Sequence, residues 1–124
     1  MRAALALLCC LVALAAAAEK YSDRWDNIDL DGILRDDKKL DAYLSCVLDG
    51  GACSREGELL KRVMPEAIRT MCGRCTPRQK EGARRAMDYL KQHRPQQWSR
   101  LVRKFDPTGE YTRKYEALRA QGKM

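Results

Sequence analysis

The sequence predicts an all-α fold of six short helices, and three observations carry that expectation. Apolar residues recur on the 3-4 helical step along nearly the whole chain. No stretch alternates with the period of two that a strand requires. Turn and capping residues punctuate the apolar runs at short intervals, so the connections are short and a single domain suffices.

The chain opens on Arg2, followed by an uncharged apolar run over residues 3–18, and polarity begins abruptly at Glu19-Lys20. A positive tip, an apolar stretch and the small residues Ala16-x-Ala18 form the pattern of a secretory signal peptide, residues 1–18. The run is short of the roughly 20 residues that a membrane span needs. Cleavage after Ala18 leaves residues 19–124 as one secreted domain. It also removes Arg2, so the 24 basic residues become 23 against 17 acids and the charge falls from +7 to +6.

The first helix spans Asp29 to Arg35 and offers Leu30, Ile33 and Leu34. The second carries Leu40, Tyr43, Leu44, Val47 and Leu48, with Asp36 or Asp37 as N-cap. The third starts behind Ser54 and repeats the step through Leu60, Val63, Met64, Ala67, Ile68 and Met71, with Pro65 expected to kink it. Thr76-Pro77-Arg78-Gln79 opens the fourth as a capping box with proline at the first helical position. Its inner face is Ala83, Ala86, Met87 and Leu90, and it stops before Pro95. The fifth buries Trp98, Leu101, Val102 and Phe105 and ends near Asp106-Pro107-Thr108-Gly109. The sixth carries Tyr111, Tyr115 and Leu118.

Once the leader is removed, Cys46, Cys53, Cys72 and Cys75 remain of the six cysteines. Paired thiols can hold zinc, exchange electrons or close disulfides. Their spacing lacks the two C-x2-C knuckles of a zinc ribbon, and no βαβ setting supports a redox motif. An oxidising compartment favours disulfides. Of the three possible pairings, Cys46–Cys53 around Asp49-Gly50-Gly51 and Cys72–Cys75 is favoured, because each turn brings its own ends together. Both bridges are then local, fixing helix–helix corners rather than tying distant parts together.

Catalysis is not expected. His93 is the only histidine and has no nucleophile and carboxylate placed to work with it. No cofactor motif and no metal-ligand cluster is present in the sequence, so neither a cofactor nor a metal is expected. The basic excess is compatible with a cationic secreted defence or interaction protein that binds anionic membrane surfaces. Against that alternative, acids are interspersed throughout and no helix sets a purely basic face opposite an exposed apolar one. No nucleic-acid-binding module is recognisable. A monomer with no nucleic-acid partner and no stable membrane insertion is expected.

Five stretches taken together, WDNIDLDGIL (Trp25 to Leu34), GACSREGELLK (Gly51 to Lys61), the four-cysteine spacing, the Trp98 helix and KFDPTGEY (Lys104 to Tyr111), resemble the insect chemosensory proteins. The likeness covers essentially the whole of residues 19–124. It departs at Trp25, where tyrosine is usual, at Gly32, where glutamate is usual, and at Phe105, where tyrosine is common. Glycine at position 32 is expected to weaken the first helix by around 1 kcal/mol.

The resemblance implies small secreted carriers with six helices around an apolar ligand channel, sequential disulfides, and fatty-acid-derived or semiochemical-like ligands. It places Tyr43, Trp98 and Tyr115 at or near the channel. The inward apolar stripes then supply the other candidate ligand-binding residues: Leu30, Ile33, Leu44 and Val47 from the first two helices, Val63, Met64, Ala67 and Ile68 from the third, Ala83, Met87 and Leu90 from the fourth, and Leu101 and Val102 from the fifth. On helical spacing alone, each of these is equally a core residue.

Overall fold

Six α-helices follow a short 3-10 turn at Asp23–Asn27: α1 Leu30–Arg35, α2 Asp37–Asp49, α3 Arg55–Arg69, α4 Pro77–His93, α5 Pro95–Phe105 and α6 Glu110–Ala120. The computed structural model describes residues 19–124, among which there is no strand, and the expected leader at 1–18 lies outside the described residues.

Local chemistry sets most of the helix starts. The Asp36 carboxylate accepts from the Lys38 and Lys39 amides at the head of α2, and Ser54 Oγ accepts from Gly57 N at the head of α3. Thr76 Oγ1 accepts from Gln79 N at 3.2 Å, while Gln79 Oε1 accepts from Thr76 N at 3.0 Å, completing the capping box of α4. At α1, Asp29 accepts from Gly32 N at 3.1 Å. A Cβ on residue 32 would collide with that same carboxylate, so Gly32 accommodates the cap as well as weakening the helix. Asp106 is buried and caps α6 with 2.8 Å to Thr112 N and 2.6 Å to Thr112 Oγ1.

α3 continues through Pro65 but ends at Arg69, short of the expected Met71. Cys72 N donates to Ala67 O and Met71 N to Ile68 O, a Schellman closure in which Met71, at φ 55°, takes the left-handed position usually given to glycine. Cys72, at φ 62°, follows it into the same region. The chain is thereby turned sharply into the bridge Cys72–Cys75, whose Cα atoms are 5.1 Å apart. The second bridge, Cys46–Cys53, spans 5.0 Å between Cα atoms. Both sequential pairings therefore hold. Gly57 lies against Cys46–Cys53, where a Cβ would stand 3.2 Å from Cys46 Sγ, so a side chain there would crowd the close approach of the first turn of α3 to α2.

α2 packs against α1, α3 and α5; α4 packs against α1, α5 and the 3-10 turn; and α3 also meets α5. Leu34, Leu40, Leu44, Cys46, Val47, Leu90 and Leu101 form the buried cluster where these helices cross. α6 is held at the edge by charge: Arg119 pairs with both oxygens of Asp88, and Lys91 pairs with Glu116. The segment before α1, which the sequence left without structure, is fastened to the Cys72–Cys75 loop. Tyr21 N donates to Arg74 O at 2.8 Å, Lys20 Nζ to Gly73 O at 3.0 Å, and Arg74 Nε to Glu19 O at 2.7 Å.

Candidate functional site: a partly covered apolar interior

The buried cluster is small, and most of the apolar stripes are not completed by it. Leu44, Val47, Leu90 and Leu101, expected on a channel wall, are placed in the packed core at the α2–α4–α5 crossing. Leu30, Met64 and Trp98 are half-buried and rest on that core. Ile33, Val63, Ala67, Ile68, Ala83, Met87 and Val102 are half-buried outside it. In α3 no apolar side chain is buried at all, only Gly57 is, and Leu60 is 40% exposed. In the 17-residue α4 only Leu90 is buried. The two longest helices therefore carry apolar faces that the protein does not finish covering, a surface that gains free energy from any apolar body laid against it.

Two hollows lie among the described residues. One of about 180 Å3 lies at the α2–α3 corner and is lined by Lys39, Ala42, Tyr43, Cys46, Ala52, Ser54, Glu56 and Gly57. Tyr43 thus stands beside the Cys46–Cys53 bridge. Another, of about 290 Å3, is formed by Leu48, Arg100, Arg103 and Lys104.

The other two expected aromatics come together through a residue that the sequence did not single out. Lys91 Nζ lies 5.2 Å from the Trp98 ring centroid and 5.7 Å from that of Tyr115, bridging α4, α5 and α6. Arg119 stands over Tyr115 as well, at 5.7 Å. The Tyr115 hydroxyl is buried and has no hydrogen-bond partner among the described residues. Burial pushes this phenol above its ordinary pKa, against the opposing pull of Arg119, so it remains a neutral donor at physiological pH. A buried hydroxyl left unpaired costs roughly 1–3 kcal/mol, and each such group calls for an explanation. A polar atom of a guest is one.

Lys91 was missed because a lysine on a helix reads as a solvated residue; only the approach of α5 and α6 gives it two aromatic faces. Leu34, Leu40 and Tyr89 were likewise absent from the expected site, and they prove to belong to or rest on the core. His93 is exposed and its ring lies 4.4 Å from that of Tyr89, tilted by 35°. Among the described residues no group of three His, Cys, Asp or Glu side chains could hold a metal, and no helix is long and apolar enough to cross a membrane.

The sequence pattern of the insect pheromone-binding family, A10/OS-D, matches residues 21–113. The chain belongs to this family of insect chemosensory proteins. It is 36% identical over 117 residues to ejaculatory bulb-specific protein 3 of Drosophila melanogaster, covering 94% of this chain and 93% of the relative. It is 38% identical over 112 residues to allergen Tha p 1 of Thaumetopoea pityocampa, covering 90% and 89%. Two solved chemosensory proteins share the fold. One, in complex with bromo-dodecanol, superposes with a TM-score of 0.74 at 43% identity over 79% of this chain and 98% of its own. The other, antennal chemosensory protein A6 from the moth Mamestra brassicae, gives a TM-score of 0.66 at 41% identity over 84% and 97%. The all-α architecture and the family expected from the sequence are thus established together.

Proposed function

We infer that this chemosensory protein is a secreted carrier of small hydrophobic molecules with a long alkyl chain and one polar end, fatty-acid-derived or semiochemical-like. The observation that carries the reading is the buried Tyr115 hydroxyl, without a partner among the described residues, on a ring that shares Lys91 with Trp98, in a protein whose helices keep half-covered apolar faces. The alkyl chain leaves water for those faces, and the hydroxyl receives the polar head. The relative that holds bromo-dodecanol, an alcohol on an alkyl chain, supports the same chemistry.

About ten buried methylenes contribute roughly 8 kcal/mol. Subtracting the costs of ordering and association gives micromolar or weaker affinity. Specificity is modest, since one methylene discriminates little. The interior opens to admit the chain, because the local disulfides leave the helices free to shift relative to one another. Residues 1–18 act as the secretion signal, and the protein works as a monomeric binder without catalysis. Displacement of a fluorescent apolar probe by 1-dodecanol tests the reading: displacement that survives high salt supports it, and binding confined to anionic vesicles and lost in salt contradicts it.

A further inference from the structure

The C-terminal ends of α2 and α5 form a hollow of another character. Arg100, Arg103 and Lys104 stand three and four residues apart and so share one face of α5. With Leu48 they line about 290 Å3. Lys104 Nζ donates to Val47 O at 2.6 Å, and Leu48 O lies 3.4 Å away, which fixes the ammonium in place without giving it a counter-ion. Arg100 pairs with Asp49. Arg103 is exposed, and Lys104 and Arg103 both lack a carboxylate within ion-pair reach among the described residues. Three cations therefore line one hollow, and only Arg100 among them has a carboxylate partner, in contrast to Arg94, which alone meets both Asp37 and Asp41.

Closure of a helix C-terminus by a cation accounts for Lys104, but not for two guanidinium groups at the same hollow. Arginines present planar pairs of N–H donors matched to the oxygens of phosphate and sulfate. Leu48 adds an apolar wall beside them. We propose that this hollow binds a phosphate or sulfate ester anion, the head of an amphiphile whose first methylenes rest on Leu48. The site shares no residue with the Lys91–Trp98–Tyr115 group.

The test is a 15N NMR titration of the oxidised mature protein with inorganic phosphate, repeated with dodecyl phosphate and with phosphatidylcholine vesicles with and without phosphatidic acid. Saturable shifts confined to Leu48–Gly50 and Arg100–Lys104, weakened about tenfold or more in Arg103→Glu, are expected. Binding of dodecyl phosphate without vesicle binding assigns a soluble ligand; vesicle binding that requires phosphatidic acid and is lost in Arg103→Glu assigns a membrane headgroup. Shifts that do not saturate, that spread over the exposed lysines, or that persist unchanged in Arg103→Glu overturn the proposal. Arg100→Gln supplies a second reading that adds no negative charge.

Discussion

Lys91 stands over the indole of Trp98 with its ammonium 5.2 Å from the ring centroid, and it reaches the Tyr115 ring from the same position. One cation from α4 thus joins aromatic rings from α5 and α6, and the second of those rings carries a buried hydroxyl without a partner among the described residues. A guest entering there changes the surroundings of Trp98, which makes that residue a reporter of binding as well as part of the wall.

Replacing Tyr115 by Phe removes the buried hydroxyl and little else. Fold stability is expected to stay within about 0.5 kcal/mol of wild type or to rise, because no hydrogen bond is lost. Affinity for 1-dodecanol is expected to fall about fivefold to tenfold, while affinity for an alkane of equal length stays the same. Thermal unfolding and probe displacement with the two ligands check both halves.

Replacing Trp98 by Ala removes a large ring that rests on the core. Unfolding in urea is expected to show a loss of about 3 kcal/mol or more. Ligand affinity falls in the variant that remains folded, and unchanged affinity and selectivity would place the pocket elsewhere.

The two disulfides differ in what they hold. Serine at both Cys72 and Cys75 is expected to cost about 2 kcal/mol by loop entropy and to release the N-terminal segment, because Tyr21 N, Lys20 and Arg74 are joined across that loop. Hydrogen exchange at the Tyr21 amide should accelerate while the α2 and α5 amides keep their protection.

Acid should loosen the same segment. The Tyr21 hydroxyl, 2.8 Å from Glu66 Oε1, and Arg74, at 2.7 Å, hold the Glu66 carboxyl below its usual range. A depressed folded value means the contribution is complete above the ordinary carboxylate pKa of about 4.3 and disappears as pH falls through the folded value. Tyr21 amide protection should therefore be flat near neutral pH and drop only in stronger acid. Glu66→Gln should weaken it near neutral pH and remove most of that dependence.

Removing the Asp106 carboxylate, as in Asp106→Ala, strips the cap from α6. A loss of about 1–2 kcal/mol is expected by thermal unfolding, together with faster exchange at Tyr111 and Thr112.

The helices were legible in the sequence because their signals are local. Thr76 with Gln79, Ser54, Asp36 and the prolines at 77 and 95 each act within a few residues of their own position, and the turn at Asp49-Gly50-Gly51 made Cys46–Cys53 readable. The 3-10 turn and its anchoring were not readable, since Asp26 reaches Thr76 and Tyr21 reaches Glu66 only across the folded chain. The same holds for the site. Helical spacing tells which residues face inward but not which of them the core covers, so Leu44 and Met87 look alike in sequence and differ in burial. Met71 shows the limit from the other side: its apolar side chain continues the helical stripe, while the disulfide loop behind it draws its backbone out of the helix.

Trp25→Phe leaves Trp98 as the only tryptophan of the two in the chain, and titration of that oxidised, mature variant with 1-dodecanol tests the carrier reading most directly. A saturable one-to-one change in Trp98 fluorescence, equal at low and high salt, is the predicted result. No saturable change, or a change that vanishes when salt is raised, would contradict it.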